Sequence, residues 1–231
     1  MLRANISKTE EAKDILLADI VLIIAFALTL DGGIESASPF VAFAQRFVYL
    51  LPIVALGVTL SFVLHELMHK FVAEHYGAIA AFRTSRMGLM ITLATGFFGF
   101  LLGIPGATMI YTTNFTRKED GIVSISGPLT NFAVFAVFLA ALLLARPPAG
   151  SYLYYMLEFT IFISILLAFF NMLPVPPLDG SKVLRWNARI YIATLGAIFV
   201  LMFIFTRIPI TSIVFMVFIA LMFSLFYRNV L

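Results

Sequence analysis

Two histidines and a carboxylate stand close together in an otherwise apolar stretch of the chain. His65 and His69 are four residues apart, and Glu66 directly follows the first of them. On an α-helix, residues four apart differ by about 40° around the axis, so both imidazoles face the same side, one turn apart. Glu66 lies about 100° from His65, within reach of a water molecule on a metal ion held by the pair. This combination of two metal ligands and a base is the signature of a metal-dependent hydrolase.

The composition of the whole chain predicts a membrane protein with several spanning helices. Of its 231 residues, 62% are hydrophobic and only 12% are charged, and the mean hydropathy is +1.05, which excludes an ordinary soluble domain. The net charge of +3 does not indicate nucleic-acid binding, because the basic residues lie between apolar spans. The alternative interpretation of His65 and His69, a pair of core histidines, must therefore explain ionisable groups within a membrane, where they are costly and usually functional.

The apolar stretches predict six transmembrane helices in a single membrane-embedded domain over residues 1–231. Each stretch is long enough to cross a bilayer, with some tilt where it is short. The fourth ends in a proline-rich break, and the last two are divided around residues 206–209. The predicted helices lie at about 15–30, 49–76, 121–145, 151–172, 188–205 and 208–227.

A different pattern separates the second and third predicted helices. Glycines recur too often between residues 78 and 111 for a stable spanning helix, and the threonines and phenylalanines between them favour extended structure. We therefore predict an all-α polytopic membrane protein with a short re-entrant β-rich segment at about 82–111; a plain additional helix is the alternative. The residues on which this prediction depends are Gly88, Thr92, Thr95, Gly96, Phe97, Phe98, Gly99, Phe100, Gly103, Pro105 and Gly106.

The basic residues predict the orientation of these helices. With the amino terminus on the cytoplasmic side, twelve of the fifteen Lys and Arg residues fall in cytoplasmic segments, and three, Arg46, Arg146 and Arg207, fall outside. This bias predicts an integral protein of the cell membrane with both termini in the cytoplasm. The histidine end of the second helix and the proline-rich break after the fourth then lie toward the same face.

A catalytic zinc usually has three protein ligands and a water molecule, so a third ligand is required. The chain has no cysteine, which leaves His, Asp or Glu. His75 has the spacing of a third metzincin histidine, but Val72 stands where that pattern needs glycine, and a continuous helix would turn His75 about 240° from His69. Glu74 is about 140° away. Asp179 fits better because it follows the proline-rich break on the same side, although a turn carboxylate is the alternative.

Three motifs follow one another along the chain: His65-Glu66-Leu67-Met68-His69 with Ala73 and Gly77, Gly127-Pro128-x-x-Asn131, and Asn171-x-x-Pro174-x-x-Pro177-Leu178-Asp179-Gly180. In this order they resemble the site-2 protease family of intramembrane zinc metalloproteases. The resemblance runs from the second helix to just past Asp179, and Ser181 departs from it where many members have glycine.

The resemblance implies one Zn²⁺ per chain held by His65, His69 and Asp179, with Glu66 as the base that activates water. It implies that Asn131 lies near the substrate or the developing oxyanion; a hydrogen bond between helices is the alternative for this amide. It further implies a zinc metalloendopeptidase that cleaves transmembrane-helix substrates in the lipid bilayer during regulated intramembrane proteolysis. Many relatives also carry PDZ or CBS domains, so the chain is expected to be a minimal catalytic core.

Other functions remain open at the level of sequence. A metal or proton transporter would use midmembrane His and Asp residues, but the internal repeats that often accompany transport are missing. A non-catalytic scaffold of the same fold would not need Glu66. A membrane-anchored zincin of another family would use a glutamate on a downstream helix, for which Glu158 is available. Two histidines and a carboxylate suit zinc without excluding other divalent ions.

Overall fold

The computed structural model describes residues 7–32, 40–101, 105–111 and 114–206, together with five residues between 214 and 222. Within these ranges the chain is mainly helical, with one small sheet. The helices are α1 (Lys8–Leu30), α2 (Phe40–Val58), α3 (Leu64–His75), α4 (Arg86–Phe97), α5 (Arg117–Ala145), α6 (Tyr152–Asn171), α7 (Asp179–Trp186) and α8 (Ala188–Phe205). A π-helical segment, Thr59–Val63, joins α2 to α3, and the strands are β1 (Ile79–Thr84) and β2 (Gly106–Tyr111).

Four helices of the described ranges are long and apolar enough to cross a membrane, so the chain is an integral membrane protein. They are the continuous helix Phe40–His75, α5, α6 and α8. Helix α1 falls outside this set because every stretch of 18 residues within it contains Lys13, Asp14 and Asp19. The predicted helix at 208–227 lies outside the described residues, apart from a few positions. The prediction of six spans is therefore not confirmed.

The predicted helix bounds are correct where apolar residues reach the helix ends and too short where the first turns are polar. Helix α8 has the predicted bounds, and α6 differs from them by one residue at each end. Helix α5 begins at Arg117, not near residue 121, because Thr116 and Glu119 form a capping box around a charged first turn. Helix α1 likewise begins at Lys8, in a charged first turn. Helix α2 begins at Phe40, well before the predicted start near residue 49, although its first turn is apolar. Helix α7 is not predicted at all.

The segment between α3 and α5 contains both the predicted sheet and an unpredicted helix. Strands β1 and β2 pair antiparallel, with Ile79 opposite Tyr111 and Thr84 opposite Gly106. The prediction of extended structure at Thr92, Thr95 and Phe97 is wrong, because all three lie in α4. The Ser85 side chain caps this helix by accepting from the Gly88 amide. The threonine hydroxyls bond back to carbonyls one turn earlier.

Gly96 explains why glycine frequency is misleading in this segment. It lies where α4 crosses α1, and a Cβ atom there would be 2.7 Å from the carbonyl oxygen of Ala25. The glycine therefore permits close packing of two helices and does not break α4. Gly99, at φ +81°, is the residue that follows the helix in a left-handed conformation.

Ionic contacts attach the sheet to the amino-terminal end of α1. Glu11 is buried; it accepts from Lys70, in the middle of α3, and from the backbone amide of Phe82 in β1. Asp14 accepts from Arg83 and Thr84 in the same strand. The start of α1 therefore contacts both α3 and the sheet.

Replacing Gly96 with alanine should lower the free energy of unfolding by about 1–3 kcal/mol, because backbone atoms of Ala25 cannot move aside as a side chain can. Gly196→Ala in α8 is the control, because a Cβ there meets nothing within 4 Å. The measurement is thermal unfolding of each protein in detergent. Equal unfolding temperatures for the two variants would contradict the role assigned to Gly96.

Candidate metal centre

Three potential ligand atoms from two distant parts of the chain converge at the first half of α3. The Nε2 atoms of His65 and His69 lie 3.0 Å apart. Asp179 Oδ2 lies 3.1 Å from His69 Nε2 and 3.4 Å from His65 Nε2. In a tetrahedral site, metal–ligand bonds of about 2.0–2.1 Å place neighbouring ligand atoms about 3.3 Å apart. The spacing of the three donors therefore suits one tetrahedral ion, and they are the group in the described ranges that could hold one.

The protonation states also suit a metal. His69 Nδ1 lies 2.8 Å from the carbonyl oxygen of Val123, which can only accept, so Nδ1 carries the proton and Nε2 presents its lone pair. Asp179 Oδ2 faces this nitrogen at 3.1 Å. An imidazole lone pair facing an ionised carboxylate is repulsive unless a cation lies between them. This donor set therefore fits a metal ion.

The π-helical segment just before the motif is tied to two other helices. Thr59 donates to the carboxylate of Asp19 on α1 at 2.8 Å. Ser61 shares a hydrogen bond of 2.8 Å with Ser164 on α6. A π-helical turn changes the rotation of the helix that follows it and is frequent at functional sites. These contacts fix the rotation at which α3 buries His65 and His69, which are 4% and 8% exposed.

Asp179 is placed by the break between α6 and α7. Helix α6 ends at Asn171, and Asp179 is the first residue of α7. Two glycines allow close contacts there: Gly180 lies against the backbone of Met172, and Gly121 of α5 lies against the Trp186 ring. These contacts hold α7 between α5 and the end of α6, so that its first residue reaches the histidines.

Gly127 lets helix α5 approach the two histidines. A Cβ atom at this position would lie 2.5 Å from His69 Nε2 and 2.6 Å from His65 Nε2. Any larger side chain would therefore displace the imidazoles. The motif around Gly127 and Pro128 is visible in the sequence, but its contact with the histidines is not, because it depends on how α5 crosses α3.

The candidate base Glu66 is held by strand β2. Its carboxylate atom Oε2 accepts from the backbone amide and from the hydroxyl of Thr108, each at 2.8 Å. The same hydroxyl lies 3.0 Å from the carbonyl oxygen of Glu66. Sequence reasoning missed Thr108, because nothing in the order of residues links this strand to α3.

Asn131 is fully buried, and neither atom of its amide has a hydrogen-bond partner among the described residues. It lies one turn after Gly127 on α5 but is not among the residues that line the cavity described next. Ser124, one turn before Gly127, does line that cavity; its hydroxyl is also buried without a described partner. A catalytic role for Asn131 stays a prediction, and Ser124 is a polar group that sequence reasoning missed.

The other candidate ligands lie away from the cluster. Glu74 and His75 are exposed, and the His75 ring contacts Tyr76. Glu158 is exposed and accepts a hydrogen bond from Tyr154. These positions agree with the choice of Asp179 as the third ligand.

A cavity of about 590 Å³ opens onto the metal centre. Its wall is mainly apolar, with residues from α1, α3, α6 and β2. The polar groups in it are few: the three candidate ligands, Glu66, Thr108, Ser124 and a small number of others. Apolar pockets with few convergent polar groups are typical of binding and active sites.

Comparison with known proteins supplies the family. A model of peptidase family M50 matches residues 147–191, which contain α6, the proline-rich break and Asp179. A protein of Methanocaldococcus jannaschii named "Putative zinc metalloprotease MJ0611" is 42% identical over 145 residues, 62% of this chain and 74% of that protein. The chain belongs to peptidase family M50. This confirms the resemblance to site-2 proteases.

Two further M50 relatives carry similar names. "Putative zinc metalloprotease Rip2" of Mycobacterium tuberculosis is 30% identical over 171 residues, 67% of this chain and 62% of that protein. "Putative zinc metalloprotease YwhC" of Bacillus subtilis is 29% identical over 165 residues, 61% of this chain and 73% of that protein. No solved structure matches the chain. The names and the donor set both indicate zinc as the metal.

We expect the purified wild-type protein to contain about one zinc ion per chain. The Asp179→Ala variant should lose most of this zinc, because two imidazoles alone leave the site short of a ligand. Glu158→Gln, which removes an exposed carboxylate away from the cluster, should retain the metal. The measurement is elemental analysis after dialysis against a zinc buffer. Full zinc content in Asp179→Ala would contradict this ligand set.

Gly127→Ala should weaken zinc binding by about 10–100-fold, the size of effect seen when the orientation of metal ligands is disturbed. The added methyl group would displace both imidazoles. Gly196→Ala is the matched control, since its methyl group meets no atom within 4 Å. Competition with a zinc-binding dye measures both affinities, and unchanged affinity in Gly127→Ala would refute the close approach.

Proposed function

We propose that this protein is an intramembrane zinc metalloendopeptidase that hydrolyses peptide bonds in or near the transmembrane segments of membrane proteins, as in regulated intramembrane proteolysis. The observation that carries the proposal is the position of Glu66. It lines the same apolar cavity as His65, His69 and Asp179, and it lies with both histidines in a helix long enough to cross a membrane. A metal site that only stored or passed on an ion would not need this carboxylate.

The roles of the residues follow from their chemistry. His65, His69 and Asp179 hold the metal, which when bound polarises a carbonyl group and lowers the pKa of water toward neutrality. Glu66 removes a proton from the attacking water and returns one to the leaving amine, so that it acts as base and then as acid. Asn131, one turn from Gly127, is the proposed donor to the oxyanion: its amide has no partner among the described residues, although it does not itself line the cavity.

The substrate must present an extended backbone to this site, because a helix hides its amides in internal hydrogen bonds. Strand β2 offers a place for it. Its one strand partner in the described ranges is β1. The cavity is lined by four residues of β2: Gly106, Ala107, Thr108 and Ile110. An extended segment that pairs with the free edge of β2 would lie across the cavity, which is a known way of capturing a peptide.

The ionic contacts support the predicted orientation. The Val123 carbonyl that binds His69 is six residues after the start of α5, so the metal centre lies roughly 9 Å from that helix end. Lys70 and Arg83, both assigned to the cytoplasmic side, pair with residues at the start of α1. Lys182 and Arg185 pair with Asp120 at the start of α5. We propose that this end faces the cytoplasm, with both termini.

Glu66→Gln should reduce peptide cleavage by about 10²–10⁴-fold, the usual contribution of a general base, while zinc stays bound. The substrates are single-span reporter peptides, each with an Asn-Gly pair near the cytoplasmic end of its apolar span and a fluorophore at each end. The assay uses protein reconstituted in lipid vesicles, with bound zinc quantified in every sample. Glu158→Gln serves as the control carboxylate and should cleave like the wild type.

Two outcomes would contradict the proposal. Equal cleavage by wild type and Glu66→Gln would exclude Glu66 as the base. Absence of cleavage by zinc-loaded wild type across the whole set of reporter peptides would favour a scaffold or transport function.

A further inference from the structure

Thr108 makes two kinds of contact with Glu66 that have different consequences for catalysis. Its backbone amide and its hydroxyl both reach the carboxylate, at 2.8 Å each. The hydroxyl belongs to the side chain and can keep its hydrogen bond to the carboxylate when the Thr108 amide bonds to another group. The amide belongs to the edge of a strand and is also the group that a pairing peptide would need.

The direction of that amide follows from the sheet register. Thr108 stands opposite Phe82, and the Phe82 amide donates away from β2, to Glu11. In an antiparallel pair, opposite residues either exchange both hydrogen bonds or direct both sets of groups outward. Phe82 and Thr108 therefore form a non-hydrogen-bonded pair, whose backbone groups point away from the partner strand. Thr108 presents its N–H and C=O on the edge of β2 that faces away from β1, where the N–H meets Glu66.

We propose that Thr108 is a positioning residue that couples substrate pairing to the release of the catalytic base. Without substrate, the Thr108 amide and hydroxyl hold Glu66 against β2. A substrate segment that pairs with the free edge uses the same N–H, because one amide cannot make two full hydrogen bonds at once. Glu66 then loses one of its two donors, while the hydroxyl still orients the carboxylate toward the scissile bond. This inference rests on the proposed protease function.

A purely structural role is the rival explanation. In that case Glu66 only satisfies an edge amide that would otherwise be unpaired, and Thr108 would affect folding or zinc content but not the balance between binding and turnover. The two explanations differ in what happens when Glu66 is shortened. If Glu66 and substrate compete for one N–H, removing the carboxylate strengthens substrate binding.

The first test measures binding of one fluorescent reporter peptide to two inactive proteins, Glu66→Ala and Glu66→Gln, both loaded with zinc. Glu66→Ala has no acceptor for the Thr108 amide, whereas Glu66→Gln keeps a carbonyl oxygen there. We expect the reporter peptide to bind Glu66→Ala about 5–10-fold more tightly, the value of one ordinary hydrogen bond of about 1 kcal/mol. Equal or weaker binding by Glu66→Ala, or no binding by either, would overturn the proposal.

The second test measures turnover in otherwise intact protein. Thr108→Val keeps the shape and the amide but removes the hydroxyl, so kcat should fall by about 5–10-fold at unchanged KM and zinc content. Thr108→Ser restores the hydroxyl and should restore kcat. A parallel loss of zinc and cleavage, or no rescue by serine, would show a structural role. If wild type cleaves normally but these differences are absent, only the coupling fails; if wild type cleaves no reporter peptide, the proposed function itself fails.

Discussion

The structure depends on holding three electron-pair donors within 3.4 Å of one another in apolar surroundings. Two imidazoles and an ionised carboxylate repel one another at that distance unless a cation, either a metal ion or a proton on an imidazole, lies between them, and the cost of removing them from water is large. Helix packing must therefore hold the three donors together against these costs. The glycines at the helix crossings serve this purpose: Gly127 brings α5 onto the histidines, and Gly180 seats α7 against the end of α6.

The residues around the ligands decide what the centre can do chemically. The Val123 carbonyl fixes the tautomer of His69, and strand β2 fixes the position of Glu66. Because β2 both restrains the base and borders the cavity, the same strand can connect substrate binding with catalysis. The contacts of Glu11 with Lys70 and β1 anchor this sheet to α1, so the position of the base depends on the amino-terminal helix as well.

Much of this arrangement is present in the sequence, because it depends on local periodicity. The spacing of His65 and His69 predicts one helical face, and the proline-rich break predicts that Asp179 lies at the end of a span, on the same side as the histidines. The rest depends on tertiary contacts that no local pattern encodes. Gly96 looks like a helix breaker until its contact with Ala25 is known, so the sequence predicts extended structure where α4 forms. Thr108 lies 42 residues from Glu66, and only the folded sheet brings them together.

The most direct test of the central claim is X-ray absorption spectroscopy at the zinc edge on the metal-loaded protein, with Asp179→Asn as the comparison. The account predicts a four-coordinate ion with two imidazole nitrogens and oxygen ligands, at about 2.0–2.1 Å. The contribution of the carboxylate oxygen to the spectrum should change in Asp179→Asn, while the contributions of both imidazoles remain. A spectrum with one imidazole or none, or one that Asp179→Asn leaves unaltered, would contradict the metal centre described here.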